Sequence, residues 1–311
     1  MMAEATKKSS RIALLATVCA AALSAGLTIG SPSRAAAQNQ QGQGQPQQPK
    51  KKKLPPGAKG FEQYSTRDAS DKLATGGATR DPNTDEFKLA MKQGDDLYEA
   101  GKYSEAAQQY ARASKMKPDV FRAFYALGAA HEAAGQFKEA AAAYKMAVAL
   151  KPDALDDPNS PLLVQYALAN SQAAAGQHAE AVNAYRKVIE QLEKAGAPPA
   201  RPYYNLALSL DALGRQQEAV AAFQKAIEID PAYAEAHYNL GVLHSRAERY
   251  PEAVEAFKKA LAARADYPEA LYNLGLAYYL IDNNAGLVEQ QKKLQAMKSP
   301  LASELAKLAG R

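Results

Sequence analysis

A pattern of small, apolar and aromatic positions recurs along this chain every 34 residues. Its plainest form is the tripeptide Tyr-Asn-Leu, which occurs at residues 204–206, 238–240 and 272–274. Strand-like alternation of β-branched residues is scarce, so the repeating segments favour helices. A fixed period of this length indicates stacked supersecondary units and not one globular core. The pattern therefore predicts an all-α chain of about six helix-turn-helix units.

The units align on a turn glycine and on a proline near the end of most of them. The first two are contiguous, and short insertions at residues 155–161 and 196–199 precede the third and the fourth. Each proline is expected to stop a second helix. The units so defined are residues 87–120, 121–154, 162–195, 200–233 and 234–267, with a sixth that begins at Pro268.

Three recurring positions have a physical reason within a helix pair. A glycine inside a helix costs up to about 1 kcal/mol, so glycines at one phase of the repeat predict a close approach of two helices. These are Gly94, Gly128, Gly241 and Gly275 at the eighth position, which with the alanine at the twentieth is expected where the helices cross. The turn glycines Gly101, Gly135, Gly176 and Gly214 predict left-handed helix ends. The aromatic residues Tyr110, Tyr144, Tyr185, Phe223 and Phe257 are expected to fill the gap between units.

This pattern resembles that of the tetratricopeptide repeat family. The family has a small eighth residue, alanine at positions twenty and twenty-seven, an aromatic at twenty-four and proline at thirty-two, and five units match most of these positions. Unit three departs from it with Val188 and Glu193, unit five with Ala265, and the second helix of unit six with Leu287 and Gln291. The resemblance implies a right-handed α-solenoid that binds proteins and is not an enzyme.

Tyrosine and asparagine side chains predict a binding surface on the first helices. In family members that bind peptides, the second, fifth, sixth, ninth and twelfth positions commonly face the ligand, on the concave side. The asparagines at the sixth position resemble the peptide-tracking ladder of O-linked N-acetylglucosamine transferase repeats. We expect Leu206, Leu240 and Leu274 to belong to the core. The candidate partner-binding residues are Asn205, Asn239, Asn273, Tyr204, Tyr238, Tyr272, Tyr166, Tyr125 and Asn170.

An asparagine can donate to a carbonyl and accept from an N–H of the same extended backbone. Units stack roughly 10 Å apart and an extended chain rises about 3.3 Å per residue, so one asparagine could serve three ligand residues. The alternative is that Tyr-Asn-Leu only stabilises the stack. A carboxylate clamp, as in chaperone-binding members, would need lysine and arginine beside asparagine. Arg122, Arg201 and Arg246 lie near this face but do not complete that set.

The first 37 residues resemble an export signal. Lys7, Lys8 and Arg11 precede an apolar run at residues 12–29, and three alanines at 35–37 offer a cleavage site before Gln38. The run of 18 residues is at the lower limit for a membrane span, so an uncleaved anchor is the alternative. Lipidation at Cys19, the only cysteine, is disfavoured because Val18 is too large for the preceding position. The predicted location is the periplasm or cell envelope of a bacterium.

A segment rich in Gln, Pro and Lys at residues 38–83 predicts a disordered linker, because residues 38–60 cannot bury enough apolar area to fold, although residues 61–83 could instead form a short helix that docks on the first unit. Its four lysines at 50–53 could contact an anionic surface or simply be solvated. The net charge of +5 comes from the segments before residue 82, because residues 82–311 carry 26 basic and 28 acidic side chains. The repeats have no cluster of basic residues of the kind that nucleic-acid binding requires.

The predicted repeat domain is 84–298, and residues 299–311 are expected to form a capping helix through Leu301, Leu305 and Leu308. His237 and His244 could share one helix face, but no third metal ligand is evident, and no phosphate loop, nucleophile elbow or zinc motif occurs. No metal or cofactor is therefore expected. Two functions stay open: a scaffold that binds an extended segment or helix of a partner protein, and a membrane-tethered assembly component of the cell envelope that docks through convex or end surfaces.

Overall fold

The computed structural model describes residues 82–150, 160–196 and 200–309, which form thirteen helices and no strand. The all-α helical repeat solenoid that the sequence predicts is confirmed. The predicted export signal, nearly all of the predicted linker and most of the insertion at 155–161 lie outside the described residues. The helices are α1 (Pro82–Glu99), α2 (Tyr103–Met116), α3 (Phe121–Ala133), α4 (Phe137–Leu150), α5 (Ser160–Ala174), α6 (His178–Lys194), α7 (Ala200–Ala212), α8 (Gln216–Ile229), α9 (Ala234–Arg246), α10 (Tyr250–Ala263), α11 (Pro268–Leu280), α12 (Asn284–Ala296) and α13 (Leu301–Ala309).

Each unit contributes one pair of helices to a continuous stack. The first helix of a unit packs on the second, and the second packs on the first helix of the next unit, from α3 through α12. Hydrophobic clusters follow the same order along the chain, with one cluster joining α1, α2 and α3 and another joining α10 and α11. The core is therefore a row of linked clusters, as nearest-neighbour stacking requires.

The eighth and twenty-fourth positions of a unit meet inside the helix pair. A β-carbon built on Gly94, Gly128 or Gly241 would lie 2.5–2.6 Å from the aromatic ring of the same unit's twenty-fourth residue. Glycine is needed there because real β-carbons do not approach a ring so closely. The alanines at the twentieth position are fully buried beside these rings: Ala106, Ala140, Ala181, Ala219 and Ala253 are all 0% exposed.

The turn glycines have the predicted left-handed conformation. The φ angles of Gly101, Gly135, Gly176 and Gly214 are +74°, +75°, +79° and +73°. Units five and six have the same turn without glycine, because Glu248 and Asp282 occupy the equivalent position with φ of 57° and 59°. Non-glycine residues are strained in this region, so these two turns are held by the packing around them.

The last helix covers the end of the stack. α13 packs on α11 and α12, and Leu305 is fully buried against Gly275. Within the helices that the structure describes, none is long and apolar enough to cross a bilayer. The first helices of units three to six, which are α5, α7, α9 and α11, position the candidate functional residues.

Candidate functional site

Hydrogen bonds between asparagine and tyrosine link the first helices of successive units. The Nδ2 atom of Asn239 donates to the hydroxyl of Tyr204 at 3.1 Å, and that of Asn273 donates to the hydroxyl of Tyr238 at 2.8 Å. Asn205 donates in the same way to Tyr166, at 2.8 Å. Each bond joins the sixth position of one unit to the fifth position of the unit before it. We call these three bonds the rungs.

The amide groups of two rungs are oriented by a second hydrogen bond. Nδ2 of Asn239 also donates to the carbonyl of Glu235 at 2.9 Å, and Nδ2 of Asn205 also donates to Oδ1 of Asn170 at 3.1 Å. Because an amide nitrogen has two hydrogens, both are used in these two residues. Their Oδ1 atoms are therefore the groups that remain for an added ligand.

The rung tyrosines are held in place by aromatic packing. Tyr204 lies with its ring centroid 5.6 Å from that of Phe223, and Tyr238 lies 5.8 Å from Phe257, in both cases across the helix pair of one unit. Burial raises the pKa of Tyr204 and of Tyr166 to about 12. Both hydroxyls therefore stay protonated at neutral pH and act as neutral hydrogen-bonding groups.

Two further tyrosines, which the sequence analysis did not select, stand beside the rungs. Tyr233 lies 4.9 Å from Tyr204 with 32° between the ring planes, and Tyr267 lies 5.0 Å from Tyr238 at 39°. Both occupy the last position of their unit, 34 residues apart, so the period itself was the signal for them. All four rings are half-buried. The same pair of tyrosines thus occurs in two consecutive units.

We define the tyrosine–asparagine stripe as the rung residues with Asn170, Tyr233 and Tyr267. Of the nine partner-binding residues predicted from the sequence, six are rung residues and a seventh is Asn170. All seven are half-buried. The other two candidates lie outside it. Tyr272 is buried, with 8% of its surface exposed, and Tyr125 packs against Phe121 and Tyr144 in unit two. Ligand contact by the stripe stays a prediction at this point.

Two of the three arginines near the first helices are taken up by ion pairs between units. Arg122 pairs with Asp95 at 3.0 Å, and Arg246 contacts both carboxylate oxygens of Asp211 at 2.8 and 2.9 Å. Arg201 is exposed and has no ion pair within the described residues. No carboxylate clamp is assembled there, because two of the cations already neutralise acidic side chains of the solenoid.

Units one to three arrange their polar groups differently. Their twenty-fourth residues are tyrosines, whose hydroxyls donate to Asp95 at 2.7 Å, Glu132 at 2.8 Å and Asn170 at 2.8 Å. Burial raises the pKa of Glu132, and the hydrogen bond from Tyr144 only partly offsets this. Units four and five have phenylalanine there and need no such acceptor, and their ninth positions are the apolar Leu208 and Val242. The arrangement of polar groups therefore changes at unit three, where the stripe begins.

The two histidines of α9 belong to another surface. His237 and His244 line a groove of about 750 Å³ between α8, α9 and α10, together with Leu240 and Ile227. Leu240 was predicted to be a core residue, but it is half-buried at this groove. The Nε2 atom of His237 lies 3.0 Å from the carbonyl of Pro231, and burial lowers the pKa of His244. Among the described residues no three side chains of His, Cys, Asp or Glu are close enough to hold a metal ion.

Family models describing tetratricopeptide repeats match most of the solenoid. They cover residues 91–154, 163–192, 208–247 and 246–282. Together these ranges span more than half of the chain. No curated protein matches the sequence.

Solved structures share this architecture at low sequence identity. A tetratricopeptide repeat protein from Parabacteroides merdae ATCC 43184 has a TM-score of 0.56 and 16% identity, covering 72% of this chain and 86% of its own. PilW, described as a type IV pilus biogenesis factor, has a TM-score of 0.53 and 17% identity, covering 73% of this chain and 100% of its own. YrrB, described as having an unusual peptide-binding site, has a TM-score of 0.50 and 20% identity, covering 62% of this chain and 97% of its own. At such identities the likeness shows the fold alone.

Proposed function

This chain belongs to the tetratricopeptide repeat family, and from that premise we propose that it is a non-enzymatic scaffold which holds an extended segment of a partner protein along the tyrosine–asparagine stripe. Proteins of this family generally mediate contacts between proteins. The observation that carries the proposal is the repetition of one half-exposed group, an asparagine amide bonded to a tyrosine hydroxyl, in three consecutive units.

The hydrogen-bonding groups of the stripe suit a peptide backbone. A tyrosine hydroxyl that accepts from asparagine can still donate its own hydrogen, and an asparagine Oδ1 can accept an N–H. Each such bond contributes about 0.5–1.5 kcal/mol net, and ordering the peptide subtracts from their sum. Three rungs and the tyrosine rings beside them therefore support affinity on the order of micromolar.

A selection from a random peptide library tests this proposal. The purified repeat domain is expected to enrich peptides that bind it, and the variant Asn205→Ala/Asn239→Ala/Asn273→Ala is expected to lose at least tenfold in affinity for them. The matched control is Gln224→Ala/Lys259→Ala on the groove between α8 and α10, which should bind as the wild type does. Circular dichroism verifies that each variant stays folded.

Two outcomes count against the proposal. Equal binding by the wild type and a folded triple variant would mean that the asparagines only join the units. Loss of binding in the groove variant alone would move the site to α8, α9 and α10.

We further propose that the protein is exported, on the basis of the basic start, the apolar run at 12–29 and the alanines at 35–37. The second candidate function, a membrane-tethered component of the cell envelope, is favoured by the length of that run. The intact mass of the protein isolated from cells discriminates between them. A mature chain that begins at Gln38 excludes the tether, and a full-length chain in the membrane fraction excludes cleavage.

A further inference from the structure

We propose that the segment held by the stripe is a proline-rich peptide in the polyproline II conformation, with proline at every third position and an acidic residue at the unit-four end. This inference rests on the proposed function and names the chemistry of the partner. The observation behind it is that one set of groups, a rung with a pair of tilted tyrosines, occurs twice in the same arrangement in units four and five.

The spacing of the units selects the conformation of the ligand. The rungs join the first helices of consecutive units directly, and packed helices lie roughly 8–10 Å apart, so equivalent groups of consecutive units recur on the order of 10 Å. A polyproline II helix rises about 3.1 Å per residue with three residues per turn, so it presents the same face about every 9.3 Å. A β-strand covers a similar distance in about three residues, but its side chains alternate, and residues three apart face opposite ways. Identical sites in consecutive units therefore match the screw of polyproline II and not that of a strand.

The hydrogen-bonding groups of the stripe fit such a peptide as well. A polyproline II backbone has no internal hydrogen bonds, so its carbonyls are all open to a donor. Tyr204 accepts from Asn239, which leaves the hydroxyl hydrogen to donate to a carbonyl. The oriented Oδ1 atoms of Asn205 and Asn239 can accept an N–H from the residues between prolines. The Tyr204 donor and the two amide acceptors suit a three-residue repeat with a single proline.

The paired tyrosines provide the apolar contact for the proline ring. Tyr204 with Tyr233, and Tyr238 with Tyr267, place two half-buried rings about 5 Å apart beside two of the three rungs. Grooves lined with aromatic side chains are a recurring way of binding proline-rich segments, because the peptide is already ordered and little entropy is lost on binding. The guanidinium of Arg264 stacks on Tyr267 at 3.7 Å and bonds to Glu235 at 2.7 Å, which holds the second pair in place and covers one face of Tyr267. The first pair has no such cation, because Asp230 occupies the equivalent position.

Charge gives the ligand its polarity. The ion pairs Arg264–Glu235 and Arg246–Asp211 are internally neutral. Arg201 is exposed at the start of α7, one helical turn before Tyr204 and Asn205 and therefore on the same face of the helix. Its charge offsets part of the pKa increase that burial causes in Tyr166 and Tyr233. One cation at this end of the stripe favours an acidic residue in the bound segment at that end.

Three fluorescein-labelled peptides of equal length test the conformation and the register. The first has proline at every third position, glutamine and alanine between, and glutamate at one end. The second has the same residues with proline at every fourth position, and in the third glycine replaces each proline. Fluorescence anisotropy with the wild-type protein is expected to give at least tenfold tighter binding for the first peptide than for the other two.

Each result decides one part of the inference. Equal affinity for the first two peptides overturns the three-residue register. Equal affinity for the glycine peptide overturns polyproline II but leaves a peptide-binding stripe. If the library selection yields peptides that need the asparagines and none is rich in proline, the proposed function stands and this inference fails. If no peptide binds at the stripe in either experiment, both fail.

Variants of the solenoid locate the binding to the tyrosine pairs. The double variant Tyr233→Leu/Tyr267→Leu is expected to bind the first peptide at least tenfold more weakly than the wild type. Tyr204→Phe keeps the ring and is expected to lower the affinity about fivefold. The matched control is Tyr103→Leu, which disrupts another tyrosine pair, Tyr98 and Tyr103 at 5.1 Å, away from the stripe. Arg201→Glu should reverse the preference from a glutamate-ended to a lysine-ended peptide. If the folded double variant binds the first peptide as the wild type does, the tyrosine pairs do not contact the ligand. If Arg201→Glu leaves the affinities for the glutamate-ended and lysine-ended peptides unchanged, Arg201 does not contact the charged end.

Discussion

Leu305 lies over Gly275 in the place that an aromatic ring takes in the other units. A β-carbon on Gly275 would come within 2.5 Å of Cδ2 of Leu305, as one on Gly128 would come within 2.6 Å of Tyr144. Unit six has Gln291 where the aromatic is expected, and the side chain that replaces it comes from the next helix, α13. The terminal helix thus completes the last unit by supplying its missing core residue.

Shortening this side chain should loosen the end of the solenoid. Leu305 is 0% exposed, so Leu305→Ala is expected to lower the free energy of unfolding by about 2–5 kcal/mol through lost burial and a cavity. Urea denaturation followed by circular dichroism measures the loss, and hydrogen exchange should show faster opening of α11 to α13. Leu301→Ala, at a half-buried position of the same helix, is the control and should cost less. Equal costs would mean that the contact with Gly275 has no special role.

The rungs should contribute to stability whether or not they bind a ligand. Tyr204→Phe removes the hydroxyl that accepts from Asn239, and we expect it to reduce the free energy of unfolding by about 0.5–1.5 kcal/mol. Tyr103→Phe, for which no hydroxyl bond to the described residues is seen, should change it by less than about 0.5 kcal/mol. A double-mutant cycle with Asn239→Ala measures the coupling. Strict additivity would show that this rung is not a stabilising contact.

Glycine should relieve the strained turn of unit five. Glu248 has φ of 57°, whereas the equivalent Gly101 has 74° without a β-carbon to clash. Glu248→Gly is expected to raise the free energy of unfolding by about 0.5–1 kcal/mol, because the relief of strain exceeds the added entropy of the unfolded chain. Thermal and urea denaturation measure it. Ala221→Gly, in the exposed middle of α8, should act in the opposite direction by about 1 kcal/mol. Destabilisation by both changes would contradict the assignment of strain.

Neutralising Glu132 should stabilise the protein at neutral pH. Burial raises the pKa of this carboxyl above its ordinary 4.5, although the hydrogen bond from Tyr144 opposes the change. The folded state therefore binds a proton more readily than the unfolded state, and stability falls as pH rises through the region above 4.5. Glu132→Gln keeps an acceptor for Tyr144 and removes that loss. We expect a higher midpoint of urea denaturation at pH 7 and little difference at pH 4.

The exposed Glu139 provides the control for this charge effect. Glu139→Gln on α4 should leave the midpoint unchanged at both pH values, because its carboxyl is solvated in either state. A gain at pH 7 that persists undiminished at pH 4 would show that it comes from packing and not from proton binding.

Much of the architecture follows from residues that each have one local reason. A close approach of two helices requires glycine at position 128, a left-handed turn favours glycine at 135, and the crossing of two helices leaves room only for alanine at 140. The order of these residues along the chain therefore already indicates stacked pairs of helices. Leu240 shows the limit of this reasoning. It follows Tyr-Asn as Leu206 and Leu274 do, yet it is half-buried beside a groove, because burial depends on the neighbouring helices and not on the tripeptide.

The candidate site could be predicted in part. The 34-residue period alone singled out Tyr204, Asn205, Tyr238 and Asn239, and their helical phase placed them on first helices. The partners of these side chains could not be read in this way, since Asn239 contacts a tyrosine 35 positions earlier and Tyr267 belongs to the end of the preceding unit. Only the stacking of α7, α9 and α11 brings them together.

The sequence by itself therefore determined the repeat, the glycine turns and the alanine and aromatic positions of the core, because these depend on backbone conformation and side-chain size within one unit. The tertiary structure decided which polar groups satisfy one another between units. It showed that the asparagine amides already donate to tyrosine hydroxyls. What the stripe can offer a ligand is therefore the hydroxyl hydrogen of Tyr204, the Oδ1 atoms of Asn205 and Asn239, and the paired rings beside two of the rungs. Such pairing depends on distances between helices, and no local pattern of residues encodes it.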